Sequence, residues 1–121
     1  MYKKECAVCH GLPKQPLPNI AAGMFPKPPQ LFQHGVTDDP PGETYWKVSN
    51  GIRLTGMPAF KKTYSDDAVW QVSLMLANAD KLPASVTAAL NTPINAPLSA
   101  PVSEHPAVPP PQTTVPLPIV K

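Results

Sequence analysis

The two cysteines and the first of the three histidines fall within five consecutive positions, Cys6-Ala7-Val8-Cys9-His10, and the sequence contains no other cysteine. This cluster constrains the fold more than any other feature, because the rest of the chain can build only a small core. Ten of the nineteen prolines follow Leu82, which leaves roughly the first eighty residues for a packed domain. A domain of that size is commonly stabilised by a disulfide, a metal or a cofactor.

The spacing Cys-x-x-Cys-His is the attachment signature of c-type haem. Residues three apart lie on one face of a helix, so the thiols of Cys6 and Cys9 can both reach one edge of a porphyrin. The imidazole of His10, in the next position, can then bind the iron as its proximal ligand. The sequence therefore predicts one covalently attached haem c with its iron.

Three other uses of this cluster compete with haem attachment. A redox-active cysteine pair needs no following histidine and normally opens a helix in an α/β fold, whereas this sequence has no strand pattern. A structural zinc site needs a fourth ligand, and His34 and His105 each stand alone in the sequence. A disulfide between Cys6 and Cys9 would be strained and would close almost no loop.

A haem iron in an electron carrier usually has a second axial ligand, and the stretch GIRLTGMPAF at residues 51–60 offers one. The thioether of methionine is a soft, neutral ligand that raises the reduction potential relative to a second imidazole. Gly56 allows a close backbone approach and Pro58 fixes the local turn. We therefore expect Met57 to be the ligand rather than Met24, which lies in a proline-rich stretch.

Haem also carries two propionate groups, which need hydrogen-bond donors or positive charge when they are buried. Arg53 is the leading candidate for this role because it lies beside Met57 in the sequence. Trp46 and Lys61 are further candidates.

Helical signals account for the first eighty residues. A helix is predicted over 2–11, a long loop over 12–41 and a second helix over about 42–50. A third helix begins after the N-cap Ser65 and runs to about Asn78. The sequence therefore predicts a small all-α domain wrapped around one haem. The third helix presents an apolar stripe, formed by Ala68, Val72, Met75, Leu76 and Ala79.

Composition divides the chain at Leu82. Residues 1–81 form the predicted haem domain. Residues 82–121 contain a proline every few positions and little charge, which favours an extended or polyproline-II chain. We expect this segment to be a flexible tail or linker.

Taken together, these marks resemble the class I monohaem bacterial cytochromes c. The resemblance covers about residues 2–80 and rests on CAVCH, PPQLF, TGMPAF and SDDAVWQVSLML. It implies that the carbonyl of Pro29 accepts a hydrogen bond from Nδ1 of His10, which would orient the imidazole and make it a stronger donor to iron. It also implies that Leu31 packs against the face of the haem.

The resemblance gives Tyr2 a role in packing as well. Tyr2 stands where the family has an aromatic residue that packs across the C-terminal helix, here near Trp70 and Met75. Family members have a further turn or two before this position. We therefore expect that the native N-terminal segment, with an export signal or a preceding domain, is missing from this sequence.

The function implied by the resemblance is outer-sphere electron transfer, with His10 and Met57 bound to iron in both oxidation states and no bond-making catalysis. We expect a soluble periplasmic carrier that takes electrons from a dehydrogenase and passes them to an oxidase or reductase. A cytochrome domain or subunit of a larger dehydrogenase or oxidase complex, tethered by the proline-rich tail, is the alternative. A peroxidase-like protein with a labile Met57 and a zinc-binding interaction module are less favoured.

Charge and hydropathy exclude two classes of partner. The net charge is +2, with ten basic and eight acidic residues, which is too balanced for a nucleic-acid-binding surface. No apolar run approaches the length of about eighteen residues that a membrane-spanning helix requires. We therefore expect neither nucleic acid nor a transmembrane segment in this chain.

Overall fold

The computed structural model describes residues 1–33 and 35–94, and within these ranges the chain is helical and contains no β-strand. The predicted all-α fold class is confirmed for this part of the chain. The first helix, α1, begins as a π-helical turn over Tyr2–Cys6 and continues as an α-helix over Ala7–His10. The later elements are α2 (Asn19–Ala22), α3 (Pro41–Asn50), α4 (Asp66–Ala77), a 3₁₀ turn (Ala79–Lys81) and α5 (Ala84–Asn91).

Helix α1 ends at the glycine that directly follows the Cys-x-x-Cys-His motif. Gly11 has a φ of +75°, in the region that favours glycine, and its N–H donates to the carbonyl of Ala7 at 3.0 Å. The hydroxyl of Tyr2 donates to the carbonyl of Gly11 at 2.8 Å, so the two ends of α1 are joined. The helix predicted over 2–11 is therefore present, and it carries both cysteines.

Helices α3 and α4 pack against each other, and their first turns follow the predicted signals. Pro41 is the first residue of α3, where its missing N–H costs no helical hydrogen bond. Ser65 caps α4, because its Oγ accepts from the N–H of Ala68 at 3.2 Å. The rings of Tyr45 and Trp70 stack between the two helices with their centroids 4.2 Å apart.

The hydrophobic core brings α4 together with residues from every other region of the domain. The stripe predicted on α4 is partly right, since Val72 and Leu76 are buried while Ala68 and Met75 are only half-buried. Val69, which the stripe omitted, is 1% exposed. The core cluster consists of Tyr2, Leu31, Val48, Phe60, Val69, Val72, Leu76 and Leu90.

Tyr2 is buried in this core, but its aromatic partner differs from the expected one. Its ring meets the ring of Phe32 edge-on, with centroids 5.2 Å apart. Trp70, the expected partner, stacks on Tyr45 instead. The side chain of Phe32 comes from the loop after the motif, which the sequence signals left without a packing role.

Two helices lie in segments that were expected to be irregular. Helix α2 interrupts the predicted loop over 12–41. Helix α5 lies within the segment 82–121, for which an extended chain was expected, and that expectation is wrong over Ala84–Asn91. Packed structure therefore continues beyond the predicted domain boundary at residue 81. Residues 95–121, the rest of the expected tail, lie outside the described residues.

Helix α5 is held to the domain by apolar contacts with the core and by hydrogen bonds from Lys3 and Gln15. Leu90 is 7% exposed and belongs to the core cluster. The ammonium of Lys3 donates to the carbonyl of Ala89 at 2.9 Å and to that of Thr92, where a cation also favours the negative end of the helix. The eight residues of this helix contain no proline. The composition of the segment 82–121 as a whole did not indicate the helix, because most of the prolines in that segment lie outside it.

No helix among the described residues has both the length and the apolar character needed to cross a membrane.

The packing of α5 can be tested through its buried leucine. Leu90→Ala removes apolar atoms from the core and leaves a cavity, so we expect the free energy of unfolding to fall by about 2–4 kcal/mol. The measurement is chemical denaturation of the purified protein. Ile94→Ala is the control, because Ile94 is 66% exposed, and its effect should stay within about 0.5 kcal/mol. Equal effects of the two changes would show that α5 does not pack on the domain.

Candidate functional site

One apolar cleft lies between the last turn of α1, the segment around residues 24–29 and the loop that follows α3. Its volume is about 320 Å³, at the lower end of the range of roughly 300–1,000 Å³ that is typical of pockets for small molecules and cofactors. Its walls are mostly apolar, with a few polar groups. The cleft is lined by Glu5, Cys6, Cys9, His10, Met24, Pro26, Lys27, Pro28, Pro29, Ile52, Thr55, Gly56, Met57, Pro58 and Phe60.

The imidazole of His10 is oriented by a single hydrogen bond. Its Nδ1 donates to the backbone carbonyl of Pro29 at 2.7 Å. A neutral imidazole that carries its proton on Nδ1 keeps a lone pair on Nε2, which is the atom left to bind a metal. The hydrogen bond implied by the family resemblance is therefore present in the fold.

The two cysteines of the motif lie in the wall of the cleft as free thiols. The pKa of the Cys6 thiol is raised to about 11, mainly by burial; the N-terminal ammonium opposes the shift, and Glu5 and Cys9 add to it. Cys6 therefore keeps its S–H proton at neutral pH in the metal-free protein. Within residues 1–33 and 35–94, no three metal-binding side chains of His, Cys, Asp or Glu converge.

The Met57 loop, residues 52–59, is held in shape by its own hydrogen bonds. The N–H of Ile52 donates to the carbonyl of Met57 at 3.2 Å and closes the loop. The hydroxyl of Thr55 donates to the carbonyl of Ile52 at 2.7 Å and accepts from the N–H of Met57 at 3.1 Å. The backbone on both sides of the methionine is thus fixed from inside the loop.

The end of the Met57 loop is also fastened to α3. The N–H of Phe60 donates to the carbonyl of Val48 at 3.0 Å, and the N–H of Lys61 donates to the carbonyl of Ser49 at 3.3 Å. The ammonium of Lys61 adds a hydrogen bond to Oδ1 of Asn50 at 2.8 Å. The side of the cleft that presents Met57 is therefore anchored to a packed helix.

Gly51, which joins α3 to the Met57 loop, has no room for a side chain. Its φ is +72°, and a Cβ atom there would lie 2.8 Å from the carbonyl oxygen of Met57 and 2.9 Å from the backbone of Pro58 and Ala59. Gly56 is less restricted, because a Cβ there would meet only Cε of Met24, the end of a flexible side chain. Gly51 therefore allows the loop to pack closely where its methionine enters the cleft.

Five of the seven site residues predicted from the sequence line this one cleft. They are Cys6, Cys9, His10, Pro29 and Met57. The other two lie elsewhere: Leu31 is buried in the core cluster, and Arg53 is exposed. Trp46 and Lys61, the further candidates beside Arg53, are also exposed.

Sequence reasoning missed several residues that shape the cleft. Thr55 was overlooked, although a threonine two residues before the ligand is a common way to fix a turn. Gly51 follows the predicted second helix, where a glycine indicates a helix end and nothing more. Phe60 and Met24 line the cleft, but no local pattern distinguishes them from ordinary core or loop residues.

Over residues 1–74 the chain matches the family model described as "Cytochrome C oxidase, cbb3-type, subunit III". The match covers more than half of the 121 residues, and the chain belongs to this cytochrome c family. Comparison with curated proteins and with solved structures gave no match. Membership defines the class of protein, a cytochrome c domain whose chemistry is electron transfer by a c-type haem and its iron.

The residues of the apolar cleft fit such a haem. The walls are apolar over most of their extent, and His10 presents an imidazole whose Nδ1 is already occupied by Pro29. A thioether from Met57 and two thiols line the same cleft. A c-type haem with one histidine and one methionine ligand would use this set of donors, namely a nitrogen ligand, a soft second ligand and two attachment points.

The constraint at Gly51 gives a test of how the Met57 loop is held. Gly51→Ala places a side chain in a backbone conformation that costs about 1–2 kcal/mol, and the Cβ also collides with the Met57 loop. We expect the free energy of unfolding to fall by at least that amount, measured by chemical denaturation. Gly42→Ala is the matched control, since nothing lies within 4 Å of a Cβ at that position. A Gly51→Ala protein as stable as the Gly42→Ala protein would contradict the account of the loop.

Proposed function

We propose that this protein transfers single electrons through one covalently attached haem c with His10 and Met57 as axial ligands. Cys6 and Cys9 are the attachment points in this proposal. The observation that supports it most strongly is the convergence of all four residues on the apolar cleft, with the Nδ1 of His10 bound to Pro29 at 2.7 Å. When bound, the haem supplies an iron that cycles between ferric and ferrous states.

The groups around the two ligands set the reduction potential of the iron. The carbonyl of Pro29 fixes the plane of the His10 ring and increases the electron density on Nε2, which favours the ferric state. The neutral thioether of Met57 favours the ferrous state. The apolar walls act in the same direction, because a buried site of low dielectric constant disfavours the form with more net charge. The last two effects raise the reduction potential, and the first lowers it.

Two further residues have proposed roles toward the haem. Leu31, 8% exposed in the core, packs toward the haem face. Arg53 is an exposed side chain that adjoins Ile52 of the cleft wall, and it pairs with a propionate.

We further propose that the protein works as a periplasmic carrier, exchanging electrons with a dehydrogenase and with an oxidase or reductase. The four residues proposed to hold the haem all come from this one chain, as a carrier requires. A second candidate is a subunit of an oxidase complex, and the description of the matching family favours it.

The assignment of Met57 can be tested against the other methionine of the cleft. In oxidised protein from a host that attaches haem, we expect a near-infrared methionine-to-iron charge-transfer band. Met57→Ala should abolish this band, and Met24→Leu should leave it in place, because hydrogen bonds within the Met57 loop hold both the N–H and the carbonyl of Met57 in the cleft wall. Absorption spectra of the two variants provide the measurement.

Three results would contradict this part of the proposal. Loss of the band in Met24→Leu would transfer the ligand to Met24. A high-spin ferric wild-type protein with rapid peroxide turnover would favour the peroxidase-like alternative. A colourless denatured polypeptide with only the mass of its amino acids would exclude covalent haem and reopen the zinc-binding alternative.

The carrier and subunit hypotheses predict different fractions for this protein when cells of its own organism are fractionated. A carrier should be released with the soluble periplasmic fraction and should elute at the size of a single small protein in gel filtration. A subunit should remain with terminal oxidase activity through mild detergent extraction. Recovery of most of the haem-bearing chain with oxidase activity would overturn the carrier proposal and leave electron transfer itself intact.

A further inference from the structure

Gln30 lies between the two residues that the family resemblance singled out, Pro29 and Leu31, and its side chain makes three hydrogen bonds. Its side chain is 8% exposed. Its Nε2 donates to the carbonyl of Leu12 at 2.8 Å and to that of Gln15 at 2.9 Å. Its Oε1 accepts from the N–H of Phe32 at 2.7 Å. Both ends of the amide are therefore bonded, as a buried amide requires.

These bonds join the two segments that flank the imidazole of His10. One segment is residues 11–15, which directly follow His10 along the chain. The other is residues 29–32, whose first member gives the carbonyl that accepts from Nδ1. Gln30 is the side chain that bridges them, because its donor reaches the first segment while its acceptor is bonded within the second.

The segment after His10 is shaped to receive this amide. A Cβ at Gly11 would lie only 3.2 Å from Nε2 of Gln30, so the glycine leaves the space that the amide needs. The hydroxyl of Tyr2 holds the carbonyl of Gly11 from the other side at 2.8 Å. Burial raises the pKa of Tyr2, so this hydroxyl keeps its proton and remains a donor.

We infer that Gln30 is a positioning residue for the proximal ligand. It holds the Pro29 carbonyl in line with Nδ1 of His10, and through that bond it sets how strongly the imidazole donates to iron. This inference rests on the proposed function, since His10 must be the iron ligand. Removing the amide releases the 29–32 segment from the 11–15 segment, which lengthens the Pro29–His10 bond and weakens the imidazole as a donor. A weaker donor stabilises ferric iron less, so the reduction potential rises.

The test compares Gln30 with the nearby Gln33 in the haem-bearing protein. Gln30→Met keeps the length of the side chain and removes its hydrogen bonds, and Gln33→Met makes the same change at an exposed position. We expect Gln30→Met to raise the reduction potential and to speed hydrogen exchange of the His10 Nδ1 proton in the ferrous protein by about tenfold, as for one weakened hydrogen bond. Gln33→Met should leave both quantities at the wild-type value.

The two readouts separate positioning from a purely structural role. If Gln30→Met loses stability but keeps the wild-type potential and proton exchange, the inference is overturned. Gln30→Asn serves as a second variant, because it keeps an amide that is one methylene too short to make all three bonds, and it should shift the potential in the same direction. Failure of both variants to hold haem would mean that the amide serves the fold alone. A wild-type protein without haem would instead overturn the proposed function.

Discussion

The hydrogen bond from Nδ1 of His10 to the carbonyl of Pro29 is the contact on which the rest of the site depends. This bond is 2.7 Å long and joins two residues that are nineteen positions apart in the sequence. It determines which imidazole nitrogen is left to bind a metal. A proline is well suited to supply this carbonyl, because its fixed φ limits how the peptide can turn. The surrounding structure then fixes the two partners: the histidine sits in the last turn of α1, and the proline precedes a buried glutamine and a buried leucine.

The two sides of the apolar cleft are stabilised in different ways. The histidine side depends on side chains that reach across the chain, with Tyr2 and Gln30 binding the carbonyls after His10. The methionine side depends on local backbone structure, since Thr55, Gly51 and the bonds to α3 fix the Met57 loop from within. A long-range network on one wall and a local turn on the other together define the space that a planar cofactor would occupy.

Local patterns in the sequence were enough to predict most of the residues with metal-binding or thiol side chains that meet at the cleft. The motif at Cys6 to His10 and the Gly-Met-Pro turn at Met57 each lie within a few positions, and helix signals located α1, α3 and α4 to within one or two residues. Long-range packing was not predictable in the same way. The pairing of Tyr2 with Phe32, the burial of Leu90 and the bridging amide of Gln30 each join residues far apart in the chain. Helix α5 was not predicted, because the high proline content of residues 82–121 as a whole conceals the proline-free stretch Ala84–Asn91.

The hydrogen bonds at the end of α5 link it to the chain on both sides of the Cys-x-x-Cys-His motif. The ammonium of Lys3, before the motif, donates to the carbonyl of Thr92, and Nε2 of Gln15, after the motif, donates to Oδ1 of Asn91 at 3.0 Å. Loss of α5 would therefore release the chain before and after His10 at once. The stability of the helix that carries the motif and the stability of the last described helix are coupled for this reason.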